Sequence, residues 1–218
     1  SYPHVCETCS RGPARSEQIH CVRCQHKLPV TKYQCYAGNP LEKVFWGRAN
    51  IRHAMAAYHY TEASMIQQLI HQFKYRDRQD IAIYLGRRAG HLLLQSTWLH
   101  EIDCIVPVPL HPAKARRRGY NQAALLAEGV SGIIHKPVLP KALRRTGYTG
   151  TPTRKSRISR WENVCGLFAV KEPGALRGRH ILLVDDVFTT GATPEACCHA
   201  LLEAGAVVRD SPLAFTSN

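Results

Sequence analysis

The sequence ILLVDDVFTTGAT, residues 181–193, joins an apolar run to two adjacent carboxylates and a polar loop. Its first four residues, Ile181 to Val184, predict a buried strand. Asp185 and Asp186 follow, and the segment 189–193 then leads into the helical sequence 194–206. Backbone N–H groups at such a strand-to-helix junction, together with the helix dipole, form an anion-binding site. The stretch therefore predicts an α/β fold with an anion site at the carboxyl end of a strand.

The composition of this loop defines the anion more closely. Thr189, Thr190 and Thr193 supply hydroxyl donors, and Gly191 allows a phosphate to approach the backbone. The loop lacks G-K-[ST], so it is not a Walker A motif. Two carboxylates are unsuited to bind a phosphate, but they suit sugar hydroxyls or a magnesium ion that the phosphates share. The combination predicts a phosphorylated sugar as the ligand.

Strand and helix patterns alternate along the rest of the chain. The helix at 63–75 is the clearest, because four apolar residues recur there at the spacing of one helical face. The alternation predicts a mostly parallel sheet flanked by helices, with ligands bound outside the carboxyl ends of its strands. We expect strands at 54–60, 103–110, 137–143, 163–170 and 206–215, and helices at 63–75, 81–93, 121–130 and 194–206.

Four of the nine cysteines predict a metal site near the start of the chain. Cys6 with Cys9 and Cys21 with Cys24 form two C-x2-C pairs, the spacing of a structural zinc site with four thiolate ligands. A redox-active C-x2-C is the other functional interpretation, although that motif usually occurs once, beside a strand-helix unit. The segment has too few apolar residues for a core of its own. A bound zinc ion would therefore supply much of its folding free energy.

The chain length indicates how these parts are organised. A chain of 218 residues accommodates one ordinary domain and a small appendage. We expect a zinc-finger domain with its joint at 1–50 and the main α/β domain at 51–218. In the last helix, Cys197 and Cys198 are adjacent, so we expect that they do not both face the core side.

The charge balance predicts a polyanionic partner. The chain has 29 Lys and Arg against 16 Asp and Glu, a net charge of +13. A solvated basic surface without a specific partner is the alternative interpretation. The basic residues concentrate in 113–122, 143–147 and 153–161, stretches that we expect to be loops or loop edges.

Hydrophobicity gives no sign of a membrane segment or of secretion. No apolar run approaches the length of about 20 residues that spans a bilayer. The first residues lack the basic flank and apolar region of a secretory signal. We expect a cytoplasmic protein, in which thiols remain reduced and metal binding explains the paired cysteines better than disulfides.

Residues 181–193 resemble the signature of type I phosphoribosyltransferases over their full length, with Phe188 where an aliphatic residue is more usual. The resemblance implies that Asp185 and Asp186 bind the ribose 2- and 3-hydroxyls of phosphoribosyl pyrophosphate (PRPP), accompanied by magnesium, and take part in any catalysis. It also implies that the loop wraps the 5-phosphate, through Thr189, Thr190, Gly191, Ala192 and Thr193.

Further segments together resemble the ComF family of competence proteins, especially ComFC-like members. They are the two C-x2-C pairs, HQFKYRDRQDIA (71–82), VPVPLHPAKARRRGYNQA (106–123), the RRT and TRKSR elements and WENVCGLF (161–168). The resemblance implies a type I phosphoribosyltransferase-like domain with an N-terminal zinc finger, acting in natural transformation. It implies that single-stranded DNA and proteins of the DNA-uptake machinery are partners.

The same resemblance assigns roles to two further groups of residues. The loop around Pro109 to His111, which includes Leu110, would take the pyrophosphate, and Lys114 and the arginines at 116–118 lie close behind it. His111 is a candidate base, although a lone histidine beside a proline is more often structural. Residues 144–160 would close over the site. If the protein is a DNA-binding module, its clustered basic residues would bind the phosphates, namely Arg116, Arg117, Arg118, Arg144, Arg145, Arg154, Lys155 and Arg157.

Two functions remain open from the sequence. One is an active transferase with an unidentified acceptor, and the other is a binding module in which Tyr120, Tyr148 and Trp161 stack on bases. Ordinary packing is the alternative role for these rings. Pro152 and Pro194 depart from the family pattern. Pro152 replaces a residue that is usually Gln, whereas Pro194 fits a first helical turn.

Overall fold

The computed structural model describes residues 5–10, 19–146 and 166–216. Helices in these ranges are α1 Val22–His26, α2 Pro40–Phe45, α3 Met65–Tyr75, α4 Gln79–Leu93, α5 Pro112–Arg118, α6 Gln122–Ile134, α7 Pro173–Leu176 and α8 Ala192–Glu203. Strands are β1 His53–Ala54, β2 Tyr58–His59, β3 Cys104–Pro107, β4 Leu143–Arg145, β5 Phe168–Val170, β6 His180–Phe188 and β7 Val207–Phe215. Tyr33–Cys35 and Leu99–Glu101 form 3-10 turns.

The main sheet is parallel, as the alternation of strands and helices predicts. Its order is β1-β7-β6-β3, and β2 also pairs with β7. The register aligns Leu183 of β6 with Asp210 of β7, and Cys104 of β3 with Ile181 of β6. The fold is therefore a mostly parallel α/β sheet flanked by helices.

Four predicted strands differ from the structure, and the one expected at 103–110 is the shorter strand β3, Cys104–Pro107. The single strand expected at 54–60 is two short strands, β1 and β2, because buried residues 55–57 interrupt the pairing with β7. In 137–143, Val138 makes only one parallel bridge, to Ile105, and strand β4 begins at the last residue, Leu143. Within 163–170, β5 covers only Phe168–Val170 and pairs antiparallel with β4, outside the main sheet.

The helices that flank the sheet are buried where the sequence pattern predicts. In α3 the apolar stripe Ile66, Leu69, Ile70 and Phe73 is buried, and Ser64 caps the helix by accepting a hydrogen bond from the Gln67 N–H at 3.3 Å. Cys197 and Cys198 are both fully buried, although adjacent side chains of a helix do not share one face. Helix α8 contacts β6 and β7 on the sheet and also β5, so two of its faces are covered.

The N-terminal segment packs against the main domain at two places. Arg78, just before α4, forms an ion pair with Glu7 at 2.6 Å, and the His20 ring meets Tyr84 of α4 at 5.5 Å. Further along, the Phe45 ring of α2 packs 5.5 Å from Phe188 at the end of β6. The segment before residue 50 thus reaches the end of the strand that carries the carboxylate pair.

The helices of the described residues include none with the length and apolar character of a membrane span.

Candidate functional site

The site forms where β6 continues beyond its neighbour β3. Pairing between the two strands ends at Pro107 and Val184, followed by one more hydrogen bond from Val108 N–H to the Val184 carbonyl, at 2.9 Å. β6 continues to Phe188, still paired with β7. The carboxylates thus lie inside the strand, with one edge of it open toward a cavity, whereas the sequence pattern alone ended the strand at Val184.

Asp185 and Asp186 have different surroundings, because successive side chains of a strand point to opposite faces of the sheet. Asp186 reaches α3, where its Oδ2 lies 2.7 Å from Lys74 Nζ. Asp185 accepts a hydrogen bond from the Asp186 N–H at 2.8 Å and lies close enough to Cys197 of α8 to raise the pKa of that thiol further, beyond the effect of burial. Among the described residues, Asp186 has a cationic partner in direct contact and Asp185 does not.

Burial and the neighbouring Asp186 carboxylate raise the pKa of Asp185 to about 7. The hydrogen bond from the Asp186 N–H and the charge of Lys74 oppose this shift without cancelling it. Near neutral pH, Asp185 therefore exchanges between the acid and the carboxylate. A bound cation or a set of sugar hydroxyls would favour the carboxylate form.

The loop after β6 takes the shape that the sequence predicts. Gly191 has φ of 77°, a left-handed conformation that favours glycine, and a Cβ at this position would lie 2.7 Å from the Phe188 ring. Helix α8 begins at Ala192, two residues before the predicted start, and ends at Glu203. Pro194 is buried in its first turn, where the missing N–H costs no helical hydrogen bond.

One cavity of about 270 Å³ gathers the predicted PRPP ligands. It is lined by all ten of them, namely Leu110, His111, Lys114, Asp185, Asp186, Thr189, Thr190, Gly191, Ala192 and Thr193. The further lining residues include four with polar side chains to which the sequence assigns no role, namely Lys74, Tyr75, Asn121 and Gln122. Nothing in the local sequence marks Lys74, because its role depends on where α3 ends relative to β6.

Two residues that line this cavity each have a buried donor atom with no hydrogen-bond partner among the described residues. These atoms are Nε2 of Gln122, whose side chain is 1% exposed, and Nε of Arg118. Buried polar groups are nearly always satisfied, so each such donor points to a ligand or an ordered water. A phosphorylated ligand has the acceptor oxygens that both donors require.

The loop at 109–111 ends where His111 caps α5. Its Nδ1 accepts a hydrogen bond from the Ala113 N–H at 3.2 Å. This contact supports the structural interpretation of His111, because one ring nitrogen is already engaged as an acceptor. The ring still lines the cavity.

The basic residues 116–118 lie in helix α5, not in a loop as expected. Gly119, with φ of 78°, ends this helix, and the preceding His111 and Pro112 begin it. Arg118 and Arg145 line the cavity, whereas Arg116, Arg117 and Arg144 are exposed. Arg154, Lys155 and Arg157 lie outside the described residues, as do Pro152, Tyr148 and Trp161.

The four paired cysteines form one cluster. The sulfur atoms of Cys6, Cys9, Cys21 and Cys24 all lie within 4.8 Å of one another. Tetrahedral zinc with Zn–S bonds of about 2.3 Å needs sulfurs roughly 3.8 Å apart, and the Cys9 and Cys21 sulfurs are separated by 3.8 Å. Burial opposes the Cys6 thiolate, but backbone hydrogen bonds from Cys21, Cys9 and Thr8 outweigh it and lower the pKa of Cys6 to about 6. The cluster could hold a zinc ion.

The fold and the site together define a class of protein. A parallel sheet with flanking helices, an aspartate pair and a Thr-Gly loop at the end of β6, and a cysteine cluster on the N-terminal segment make this a type I phosphoribosyltransferase-like protein with a possible zinc site.

The chain belongs to the ComF family of competence and DNA utilization proteins. DNA utilization protein YhgH of Escherichia coli (strain K12) is 35% identical over 209 residues, which are 93% of this chain and 86% of that protein. Competence protein F of Haemophilus influenzae is 31% identical over 80% of this chain and 74% of its own length. Competence protein ComFC of Bacillus subtilis (strain 168) is 30% identical over 67% of this chain and 57% of its own length. No protein-family model matches the sequence.

Solved structures that resemble the chain include two enzymes. Glutamine PRPP amidotransferase from B. subtilis, complexed with ADP and GMP, matches 66% of this chain and 30% of its own, with a TM-score of 0.46 and 20% identity. Adenine phosphoribosyltransferase from Saccharomyces cerevisiae matches 66% of this chain and 71% of its own, with a TM-score of 0.40 and 16% identity.

Proposed function

We propose that this protein binds PRPP with magnesium in the cavity at the end of β6, binds single-stranded DNA, and acts in the cytoplasm in DNA uptake. The observation that carries the PRPP proposal is the cavity itself. It combines an aspartate pair, a phosphate-type loop and two lining residues whose buried donors have no partner among the described residues. The names of the relatives, competence protein F and DNA utilization protein, support the DNA role.

Each part of PRPP has a suitable set of groups in this proposal. The ribose hydroxyls would donate to Asp185 and Asp186, and the 5-phosphate would accept from the loop at the start of α8. The pyrophosphate would lie toward Lys114 and Arg118, where Gln122 offers a further N–H. Magnesium, when bound with the ligand, would neutralise phosphate charge and polarise the bonds to the pyrophosphate.

Isothermal titration calorimetry tests PRPP binding directly. Wild-type protein should bind PRPP in magnesium and bind ribose 5-phosphate more weakly. The double substitution Asp185→Asn with Asp186→Asn should weaken PRPP binding by at least tenfold, since each lost charge-assisted hydrogen bond contributes about 1.5–3 kcal/mol. Glu128→Gln, an exposed carboxylate on α6, is the control and should bind normally. Wild-type protein that binds no PRPP would refute the proposal.

DNA binding is tested by the salt dependence of affinity for a single-stranded oligonucleotide. Neutralisation of Z phosphates on a single strand gives a slope of about −0.7Z in a plot of log K against log salt. Charge reversal of Arg116 and Arg117 should weaken binding and flatten this slope. The same reversal at Lys171 and Arg177, exposed residues beside α7, should have little effect. Equal losses in both pairs would exclude α5 as the contact.

Transferase activity is a second candidate function, favoured by the position of Lys114 and Arg118 in the same cavity as the aspartates. Transfer would break the bond from ribose C1 to the pyrophosphate oxygen and form a bond from C1 to an acceptor. The two cations would stabilise the leaving pyrophosphate. Magnesium-dependent pyrophosphate release, abolished in the double aspartate variant, would support this function. Release that is unchanged in the variant would exclude it.

A further inference from the structure

A second cavity lies beside the first, along the exposed face of α3. Its volume is about 570 Å³, and it shares Lys74 and Tyr75 with the cavity at the end of β6. The shared side chains connect the two cavities. The remaining residues that line it come from α3 and its ends and from Tyr60, which follows β2. The PRPP proposal assigns no role to this second cavity.

The α3 side of this cavity carries flat polar side chains in one stripe. Gln68, His71, Gln72 and Tyr75 follow the i, i+3, i+4, i+7 pattern, so they share one face of the helix. The His71 and Tyr75 rings lie 4.8 Å apart between centroids, and Tyr75 is 59% exposed. Exposed aromatic rings stack on nucleobases of any sequence, and amide groups hydrogen-bond to base edges. The stripe therefore has the chemistry of a base-stacking surface.

The charge around this stripe favours a polyanion. Residues 65–76 contain no Asp or Glu, and Arg76 follows Tyr75, whereas Lys74 is already paired with Asp186. From α5, the guanidinium of Arg118 lies 5.1 Å from the centre of the Tyr75 ring. An arginine held against an exposed aromatic ring combines a phosphate contact with a stacking surface. This combination is typical of proteins that bind single strands.

We propose that this face of α3, defined by Gln68, His71, Gln72 and Tyr75, binds the bases of single-stranded nucleic acid. A base stacks on Tyr75 beside His71, the two glutamine amides meet base edges, and Arg76 holds a phosphate, while Arg118 of the PRPP cavity supports the Tyr75 ring. The inference rests on the strand binding proposed above and names its surface. A duplex does not fit it, because paired and stacked bases do not expose their faces.

The structure also accounts for Tyr120, which the sequence placed among the stacking rings. Its hydroxyl donates a hydrogen bond to the Phe73 carbonyl near the end of α3, and the side chain is half-buried. Tyr120 therefore anchors the segment after α5 against α3. Through this contact it supports the position of Tyr75, two residues after Phe73.

Fluorescence anisotropy with labelled 12-nucleotide strands tests the proposal. Tyr75→Ala should weaken binding of oligo(dT) by roughly 10- to 100-fold, the range that corresponds to one stacked base. Tyr75→Phe keeps the ring and should bind within about twofold of wild type. The salt slope of Tyr75→Ala should equal that of wild type, since no phosphate contact is lost, whereas Arg76→Ala should flatten it. The affinities of wild-type protein for oligo(rU) and for a DNA duplex are compared with its affinity for oligo(dT), to show whether the sugar or the duplex form changes binding.

Trp46, which follows the last residue of α2, offers a matched control. It is 65% exposed and has Lys43 6.0 Å from its ring, so it reproduces an exposed ring with a nearby cation. Trp46→Ala should bind oligo(dT) like wild type. Equal weakening in Tyr75→Ala and Trp46→Ala would overturn the proposal, as would duplex binding as tight as strand binding.

Photocrosslinking of wild-type protein to a strand containing 5-iododeoxyuridine gives a second measurement that needs no variant. Mass spectrometry should place the crosslink on Tyr75 or His71, and crosslinks confined to other elements would overturn the inference. The outcomes separate the two proposals. Wild-type protein that binds no strand refutes DNA binding itself, whereas tight binding that Tyr75→Ala leaves unchanged refutes only the α3 surface.

Discussion

Lys74 Nζ lies 2.7 Å from Oδ2 of Asp186, so the end of α3 is joined to the carboxylate pair of β6. The contact gives one carboxylate a cationic partner, while burial and Asp186 raise the pKa of its neighbour Asp185 to about 7. It also places a lysine at the boundary between the two cavities. The charge state of the site near neutral pH therefore depends on a residue of α3 as well as on β6.

Affinity for PRPP and magnesium should rise between pH 6 and pH 8. A carboxyl group with a pKa near 7 is protonated below that pH. The protonated form does not bind a cation, and it accepts hydrogen bonds from sugar hydroxyls more weakly than the carboxylate does. Calorimetry across this range should show a stronger rise for wild type than for Asp185→Asn. The ligand phosphate titrates near pH 6 as well, but it does so equally with both proteins.

Lys74→Met provides a further arm of this experiment. Loss of the ammonium charge should shift the midpoint of the pH profile upward, because the carboxylates lose a group that favours their ionised forms. Lys27→Met, at the end of α1, should leave the midpoint unchanged. Identical profiles for wild type and Asp185→Asn would contradict the assigned role of Asp185.

Gly191→Ala should lose PRPP binding and destabilise the protein by about 1–3 kcal/mol. The left-handed backbone disfavours a side chain, and the new Cβ would lie 2.7 Å from Phe188. Gly178→Ala is the matched control, since Gly178 has φ of 72° with no atom within 4 Å of its added Cβ. Thermal unfolding and calorimetry should show a conformational cost for both variants and a binding loss only for Gly191→Ala. Equal ligand affinities would show that the loop does not hold the phosphate.

The sequence predicted the parts of this fold that depend on local patterns. The β6 motif, the buried stripe of α3 and the cysteine pairs follow from spacing within about twenty residues, and the structure places each of them in the predicted kind of element or cluster. The parallel arrangement follows from alternation of strands and helices. The sequence alone therefore predicts which fold the motif belongs to.

The parts that the sequence did not predict depend on tertiary contacts. Residues 54–60 read as one strand, but pairing with β7 is interrupted at 55–57, where the chain passes through the core. The run of arginines in 116–118 reads as a loop, although Pro112 and the His111 cap start a helix there. Lys74 acquires its role only because α3 ends beside β6.

Metal analysis should find about one zinc ion per chain in protein purified without chelators. Cys24→Ser should lose the metal and make the N-terminal segment sensitive to proteolysis, because the cluster supplies folding free energy that the segment lacks otherwise. Cys35→Ser is the control, since Cys35 is exposed and outside the cluster. Protein without zinc, or zinc retained in Cys24→Ser, would contradict the predicted site.

Asp210→Asn should stabilise the protein increasingly as pH rises from 5 to 8. Asp210 is fully buried, and neither carboxylate oxygen has a hydrogen-bond partner in the part of the chain that the structure describes. Burial, and secondarily the nearby Asp185, raises its pKa well above the usual range. The folded state then holds a proton that the unfolded state releases above about pH 4, so wild-type stability falls as pH rises.

Chemical denaturation at pH 5 and pH 8 measures this effect. The variant should gain about 1–3 kcal/mol relative to wild type at pH 8 and less at pH 5. Glu62→Gln, an exposed carboxylate before α3, should show no such trend. A larger gain at pH 5 than at pH 8 would mean that Asp210 is ionised and stabilised in the folded protein.

A crystal structure of the protein with PRPP and magnesium tests the central claim most directly. We expect the ribose hydroxyls within hydrogen-bond distance of Asp185 and Asp186, the 5-phosphate on the backbone of residues 190–193, and the pyrophosphate toward Lys114 and Arg118. PRPP bound away from the end of β6, or a cavity that stays empty at saturating PRPP, would contradict the account.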